Sequence, residues 1–129
     1  MTHWRWLDGG IARAVHDRSL VLHGGASGLR DAGLLESAIA RPKQLAAYGD
    51  EPDVMALAAA YTFGIVRNHP FIDGNKRTGF VIGILFLELN GARFTASEAA
   101  ATRAVLELAA GALDQAGYAT FLRANVVTD

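Results

Sequence analysis

A chain of 129 residues, 51% of them hydrophobic and only three of them proline, has the size and composition of one folded domain, expected over residues 1–129, rather than of a disordered segment. Its 12 basic and 13 acidic residues leave a formal net charge of -1, without the basic excess of a general nucleic-acid binder, so no direct nucleic-acid partner is expected. The absence of cysteine excludes disulfide scaffolds, cysteine metal sites and cysteine nucleophiles, and permits a cytoplasmic location.

The first ten residues have no apolar core of the kind a secretory signal carries. The most apolar runs, Val54–Val66 and Phe80–Leu87, fall short of the ~18 residues of a membrane span, so no membrane partner is expected. Alanine, leucine and glycine dominate and β-branched residues rarely cluster, which favours helix over sheet. A first helix is expected over about Leu7–Leu20, with Leu7, Ile11, Ala14 or Val15, and Arg18 tracing one face. The glycine-dense run His23–Gly28 breaks it. Asp31 then caps a second helix with the apolar stripe Leu34, Leu35, Ala38 and Ile39, and Pro42 marks its end.

Asp50 or Asp53 caps a third helix running to about Asn68, and its sequence is apolar nearly all round, as befits a helix surrounded by others. A loop from His69 to Gly74 leads into a fourth apolar helix over about Asn75–Leu89, closed by Asn90 and Gly91, residues suited to positive φ. Thr95 and Glu98 have the spacing of a capping box, opening a fifth helix through about Ala110. Asp114 opens a short last helix, loosened at Gly117, with Tyr118, Phe121 and Leu122 facing inward. The sum is an all-α fold of about six helices, a buried central pair wrapped by four amphipathic ones.

The segment His69-Pro70-Phe71-Ile72-Asp73-Gly74-Asn75-Lys76-Arg77-Thr78-Gly79 gathers a base, an acid, an amide, two cations and two glycines in one loop and helix start. A helix beginning near Asn75 leaves its first N–H groups free, and those groups with the helix dipole favour an anion. Gly74 allows a ligand close approach, while Lys76 and Arg77 add positive charge and Arg77 can grip a phosphate with two parallel N–H bonds. A carboxylate beside such an anion site makes sense when it holds Mg²⁺ together with phosphate oxygens, which assigns Asp73 as the metal ligand. An imidazole, with an unperturbed pKa of about 6.5, is the side chain best matched to taking a proton from a hydroxyl near neutral pH, and His69 supplies one. Phe71 turns inward and Pro70 restricts the loop. The same residues could also make an ordinary solvated turn, with Asp73 or Asn75 doing no more than capping the helix.

This segment resembles the hallmark of the Fic/Doc family, His-x-Phe-x-Asp/Glu-Gly/Ala-Asn-x-Arg leading into a helix, met here by His69, Phe71, Asp73, Gly74, Asn75 and Arg77. Lys76 and Phe80 stand where most Fic proteins have glycine and a second arginine, and both departures are those of the death-on-curing (Doc) branch. The run His23–Pro42, the lone His16 and the stretch ending at Gly91 are similar to that branch too, with Arg30 and Asp31 as helpers that order the loop or as members of a surface ion-pair and capping set. The resemblance implies a toxin of a toxin–antitoxin pair that uses ATP and Mg²⁺ to phosphorylate a threonine of elongation factor Tu. It assigns His69, Asp73 and Arg77 to catalysis, and Gly74, Asn75, Lys76 and Arg77 to the phosphates. The wider family implies two alternatives, AMP transfer to a protein hydroxyl and a degenerate member that only binds its partner.

Many Fic proteins restrain themselves with a helix of pattern Ser/Thr-x-x-x-Glu-Gly/Asn. Here Ala32, Ala47, Ile84, Phe94 and Arg103 stand four residues before Glu36, Glu51, Glu88, Glu98 and Glu107, and none of these glutamates is followed by Gly or Asn. Restraint is therefore expected from a separate antitoxin whose C-terminal segment folds on an apolar groove of this chain.

Overall fold

The computed structural model describes residues 3–128, so the outermost ends of the expected 1–129 domain lie outside the described residues. The elements run α1 (Gly9–His23), α2 (Ala32–Tyr48), α3 (Val54–Asn68), α4 (Asn75–Leu89), β1 (Ala92–Phe94), α5 (Glu98–Ala110), α6 (Gln115–Ala124) and β2 (Val126–Thr128). Five helices start on a side chain that accepts an N–H of the first turn: Asp8 from Ile11, Asp31 from Leu34, Asp53 from Ala56, Ser97 from Ala100 and Asp114 from Gly117. Only α4 has no such cap.

The core lies around α3, whose residues Leu57–Thr62 are all buried, with α2 and α4 on either side and α6 across it. Missing side chains let α4 settle onto α3. A Cβ on Gly79 would stand 3.2 Å from the Thr62 carbonyl oxygen, and one on Gly83 would overlap the Thr62 hydroxyl. That hydroxyl donates to the Gly79 carbonyl at 2.7 Å and ties the pair together. At the far end Phe86 sits in an aromatic cluster with Trp4, Trp6 and Tyr61, centroids 5.1–6.2 Å from its ring. The Tyr61 hydroxyl accepts from the Leu7 N–H at 2.9 Å and donates to the Leu7 carbonyl at 3.1 Å, which fixes where α1 enters. Among the described residues no helix is long and apolar enough to cross a membrane.

Five details depart from the sequence reading, each for a physical reason. The buried side of α1 is Ala12, His16 and Ser19, not the face of Ile11 and Arg18, because the core accepts small and hydrogen-bonded residues there. Pro42 does not end α2. A proline inside a helix costs about 3 kcal/mol, but Pro42 is itself buried and Leu45 and Ala46 beyond it pack on the core, which offsets the lost bond. Asn90 has φ -111, and Gly91 alone takes positive φ, at 83°. The cap of α5 is Ser97; Thr95 instead donates its N–H and hydroxyl to the Asn125 carbonyl at 2.7 and 2.9 Å. Gly117 leaves α6 unbroken, since its N–H is the donor to the Asp114 cap. A two-stranded antiparallel sheet also joins β1 to β2, with Phe94 opposite Val126 and Ala92 opposite Thr128. Strands of three residues are too short to leave a period of two in the sequence.

Asp53 caps α3 and takes the Arg123 guanidinium on both oxygens, at 2.6 and 3.0 Å. The Arg123 hydrogen bonds hold its carboxyl below the ordinary range, against partial burial. A carboxyl lowered in this way stabilises the fold above its unfolded value of about 3.9, and the contribution is lost as pH falls through the folded value. Asp53→Asn keeps the cap and removes the charge. It should be less stable than the parent at pH 7 by no more than about 1 kcal/mol, both partners being well exposed, and denaturant melts should show the gap narrowing steadily below about pH 4.

Candidate active site

The loop between α3 and α4 is held from four directions. α3 ends on His69 in the left-handed region, φ 53 and ψ 53, with its N–H still bonded to the Ile65 carbonyl at 3.0 Å. Such a conformation costs a non-glycine residue about 1–2 kcal/mol. Arg30 braces it from outside: Nε donates to the His69 carbonyl at 2.7 Å and Nη2 to the Asn68 carbonyl at 2.8 Å. The Pro70 carbonyl then accepts from the N–H groups of Arg30 and Asp31, at 2.6 and 3.0 Å, and Ile72 donates to the Gly28 carbonyl at 3.1 Å. Leu29 and Phe71 form a single antiparallel bridge between these bonds. The reading of Arg30 as a residue that orders the loop agrees with these contacts. Asp31 acts through its backbone and as the cap of α2.

From inside, Phe71 is buried as expected, and the side chain of Asn75 closes the loop on itself. Its Oδ1 accepts from the Phe71 N–H at 3.0 Å and its Nδ2 donates to the Phe71 carbonyl at 2.9 Å. Both ends of the Asn75 amide are thereby tied to Phe71, and the backbone N–H of Asn75 stays free of any side-chain acceptor at the start of the next helix. The exposed Asp73 carboxylate accepts the Gly74 N–H on Oδ1 at 2.8 Å and the Ala26 N–H on Oδ2 at 3.3 Å.

The N-cap of α4 is Gly74 itself, at φ 77 and ψ 18, and no side chain caps the helix. Asp73 and Asn75 bond elsewhere, so the turn is not the simple capping arrangement that its composition also allowed. The first N–H groups of α4 therefore carry no side-chain acceptor. Lys76 and Arg77 stand exposed beside them and enter neither ion pair found among the described residues. The arrangement can receive an anion on backbone donors and two cations, with a carboxylate and an imidazole carried by the same loop. Among the described residues no three His, Asp or Glu side chains gather as a metal cage. A Mg²⁺ at Asp73 would take the rest of its oxygen shell from phosphate and water.

The residue that the sequence reading left without a role is His16. It is only 2% exposed, and its Nε2 lies 2.7 Å from the Asp73 carbonyl oxygen. Its signal in the sequence was the likeness of this lone histidine to the Doc branch, which carried no role with it. Two open cavities lie elsewhere, along α5. One of about 910 Å³ is lined by Glu98, Thr102, Arg103, Leu106 and their neighbours, and one of about 530 Å³ reaches Leu113 and Phe121. No residue of the loop lines either, and neither offers the donors and carboxylate found at the start of α4.

The chain is thus a six-helix bundle in which a histidine-led loop feeds an uncapped central helix. The Fic/DOC family model matches residues 6–87, more than half of the chain, and the chain belongs to that family. It is 37% identical over 78 residues to "Protein kinase doc" of Escherichia phage P1, a stretch covering 60% of this chain and 62% of that protein. It is 41% identical over 78 residues to "Toxin Doc" of Mycolicibacterium smegmatis, covering 59% of each. The match thus spans less than two thirds of the length of either relative.

Asn75→Ala removes two hydrogen bonds from a buried backbone and should destabilise the fold by about 2–4 kcal/mol, while the exposed Lys76→Ala should stay within about 0.5 kcal/mol of the parent. Urea melts of the two proteins side by side measure the difference.

Proposed function

We propose that this chain is the toxin of a type II toxin–antitoxin pair, an ATP- and Mg²⁺-dependent protein kinase of the Doc type that phosphorylates a threonine of elongation factor Tu and arrests translation in the cytoplasm. The observation that carries this reading is the start of α4, a helix terminus without a side-chain cap, flanked by the Asp73 carboxylate and two cations outside any ion pair among the described residues. The two relatives are named as a kinase and as a toxin, which supports the same reading.

The residues present fit the nucleotide and the metal. Asp73 accepts one N–H on each oxygen, which leaves lone pairs on both for a cation. Gly25 keeps its approach open, since a Cβ there would come within 3.0 Å of Asp73 Oδ2. When bound, ATP supplies the phosphoryl group and Mg²⁺ neutralises its phosphate oxygens. Asp73 would hold the metal, and the backbone N–H groups of Asn75 and the next residues would cradle phosphate, with Gly74, whose own N–H is taken by Asp73 Oδ1, leaving room for its approach. Arg77 grips phosphate oxygens in parallel and offsets the charge that builds there during transfer; Lys76 adds a point charge that sets the direction of the triphosphate. His69, exposed at the loop's start, takes the proton of the incoming threonine hydroxyl on its imidazole.

Restraint is assigned to an antitoxin in trans. To block the loop its folding segment has to cover surface beside it, and Ile72 stands exposed in the loop itself. A disordered tail that folds as a helix over Ile72 would gain apolar burial against its ordering cost.

Purified protein, incubated with elongation factor Tu and ATP labelled separately at the α and γ positions, should transfer the γ label only. Transfer of the α label only would make it an adenylyltransferase instead. Asp73→Asn should lose transfer by at least about a hundredfold, beyond what the loss of a mere outer-shell partner costs, with a thermal midpoint within a few degrees of the parent. Undiminished transfer by that variant would remove Asp73 from the metal site.

A further inference from the structure

We propose that His16 is the positioning residue of the candidate site, fixing the Asp73–Gly74 peptide so that the Asp73 carboxylate is aimed for its cation. This rests on the reading of Asp73 as the metal ligand, although neither the family hallmark nor the loop itself contains His16.

The Asp73 carbonyl oxygen can only accept, so the 2.7 Å contact requires a proton on Nε2 of His16. The other ring nitrogen lies 3.9 Å from the Asp17 carboxylate, beyond hydrogen-bond reach, which leaves the loop as the histidine's bonded partner. The ring does more than donate. Its face stacks on Phe71 with centroids 3.9 Å apart and planes 7° from parallel, and its Cδ2–Nε2 edge lies 3.7 Å from where a Cβ on Gly74 would be. One side chain, far upstream in the sequence, thus touches Phe71 and Asp73 and fills the space beside Gly74 that a side chain there would need.

Planarity of the peptide bond transmits the contact. The Asp73 carbonyl and the Gly74 N–H belong to one rigid unit, so holding the oxygen holds the N–H. That N–H donates to Asp73 Oδ1 at 2.8 Å. The chain of bonds runs from His16 Nε2–H to the Asp73 carbonyl, across the peptide plane, and back to the Asp73 carboxylate. Without the first bond the plane is free to rotate, Oδ1 loses its donor and the carboxylate is no longer held in one orientation. A buried imidazole stacked on Phe71 is costly to place unless its hydrogen bond is used. Partners that orient a metal ligand in this way change metal affinity by about 10–100-fold when removed.

Two variants separate the donor from the packing. His16→Phe keeps a flat ring on Phe71 and removes the donor; His16→Gln puts an amide N–H near the position of Nε2 and loses the stacked face. In the Phe variant the Mg²⁺ concentration for half-maximal transfer should rise about tenfold or more. The amides of Gly74 and Ala26, which donate to the Asp73 carboxylate, should exchange faster, while the thermal midpoint moves little. The Gln variant should recover most of the Mg²⁺ dependence and of the amide protection. Parental behaviour of the Phe variant in both readouts overturns the proposal, and so does a folded Gln variant as impaired as the Phe variant. Nitrogen NMR of the unsubstituted protein needs neither variant to fold: an Nε2–H proton on His16 supports the assignment, and a lone pair on Nε2 overturns it. Amide exchange and the His16 proton are readable in a protein that transfers nothing, so failure of the kinase reading and failure of the positioning role are told apart.

Discussion

Gly79 and Gly83 bring α4 so close to α3 that the Thr62 hydroxyl reaches the Gly79 carbonyl at 2.7 Å. Two apolar helices pressed together at that distance leave their connection little freedom, and the six residues from His69 to Gly74 are fixed at both ends by the pair they join. The rest follows from this contact. α2 covers α3 and supplies Arg30 and Asp31 just before its start; α1, anchored through Leu7 on Tyr61, supplies His16 beneath the loop. A polar turn mounted this way gives a ligand donors that are already in place, so little ordering is left to be done on binding.

The same mounting explains why the start of α4 is uncapped while the other five helices are capped by side chains. A capping side chain at position 74 would fill the space beside these N–H groups and spend one of them on the protein itself. Asn75, which has the right chemistry to cap, is turned inward to Phe71, so the loop gains its stability from a bond that leaves the helix terminus open. Stability forgone at one helix end for ligand binding is a common pattern at functional sites.

The long apolar helices were readable from the sequence because burial on all sides leaves an unbroken apolar run, and Asp31, Asp53 and Asp114 marked three helix starts through cap chemistry alone. The loop motif was readable because its residues are contiguous, and so were the inward turn of Phe71 and the ordering role of Arg30. What escaped depends on contacts distant in sequence. Pro42 reads as a terminator unless the packing of Leu45 beyond it is known; β1 and β2 each become strands only through the other. His16 reads as an isolated histidine until α1 is laid under a loop 57 residues away, with its buried face turned from the one that periodicity suggested.

The central claim, that phosphate sits on the open start of α4, is tested most directly by following backbone amide resonances during titration with Mg²⁺ and ATP. The largest shifts should fall on Gly74, Asn75, Lys76 and Arg77, with Ala26 moving as the Asp73 carboxylate takes its cation. Shifts confined to the groove along α5, at Thr102, Arg103 and Leu106, with the start of α4 unmoved, would contradict it.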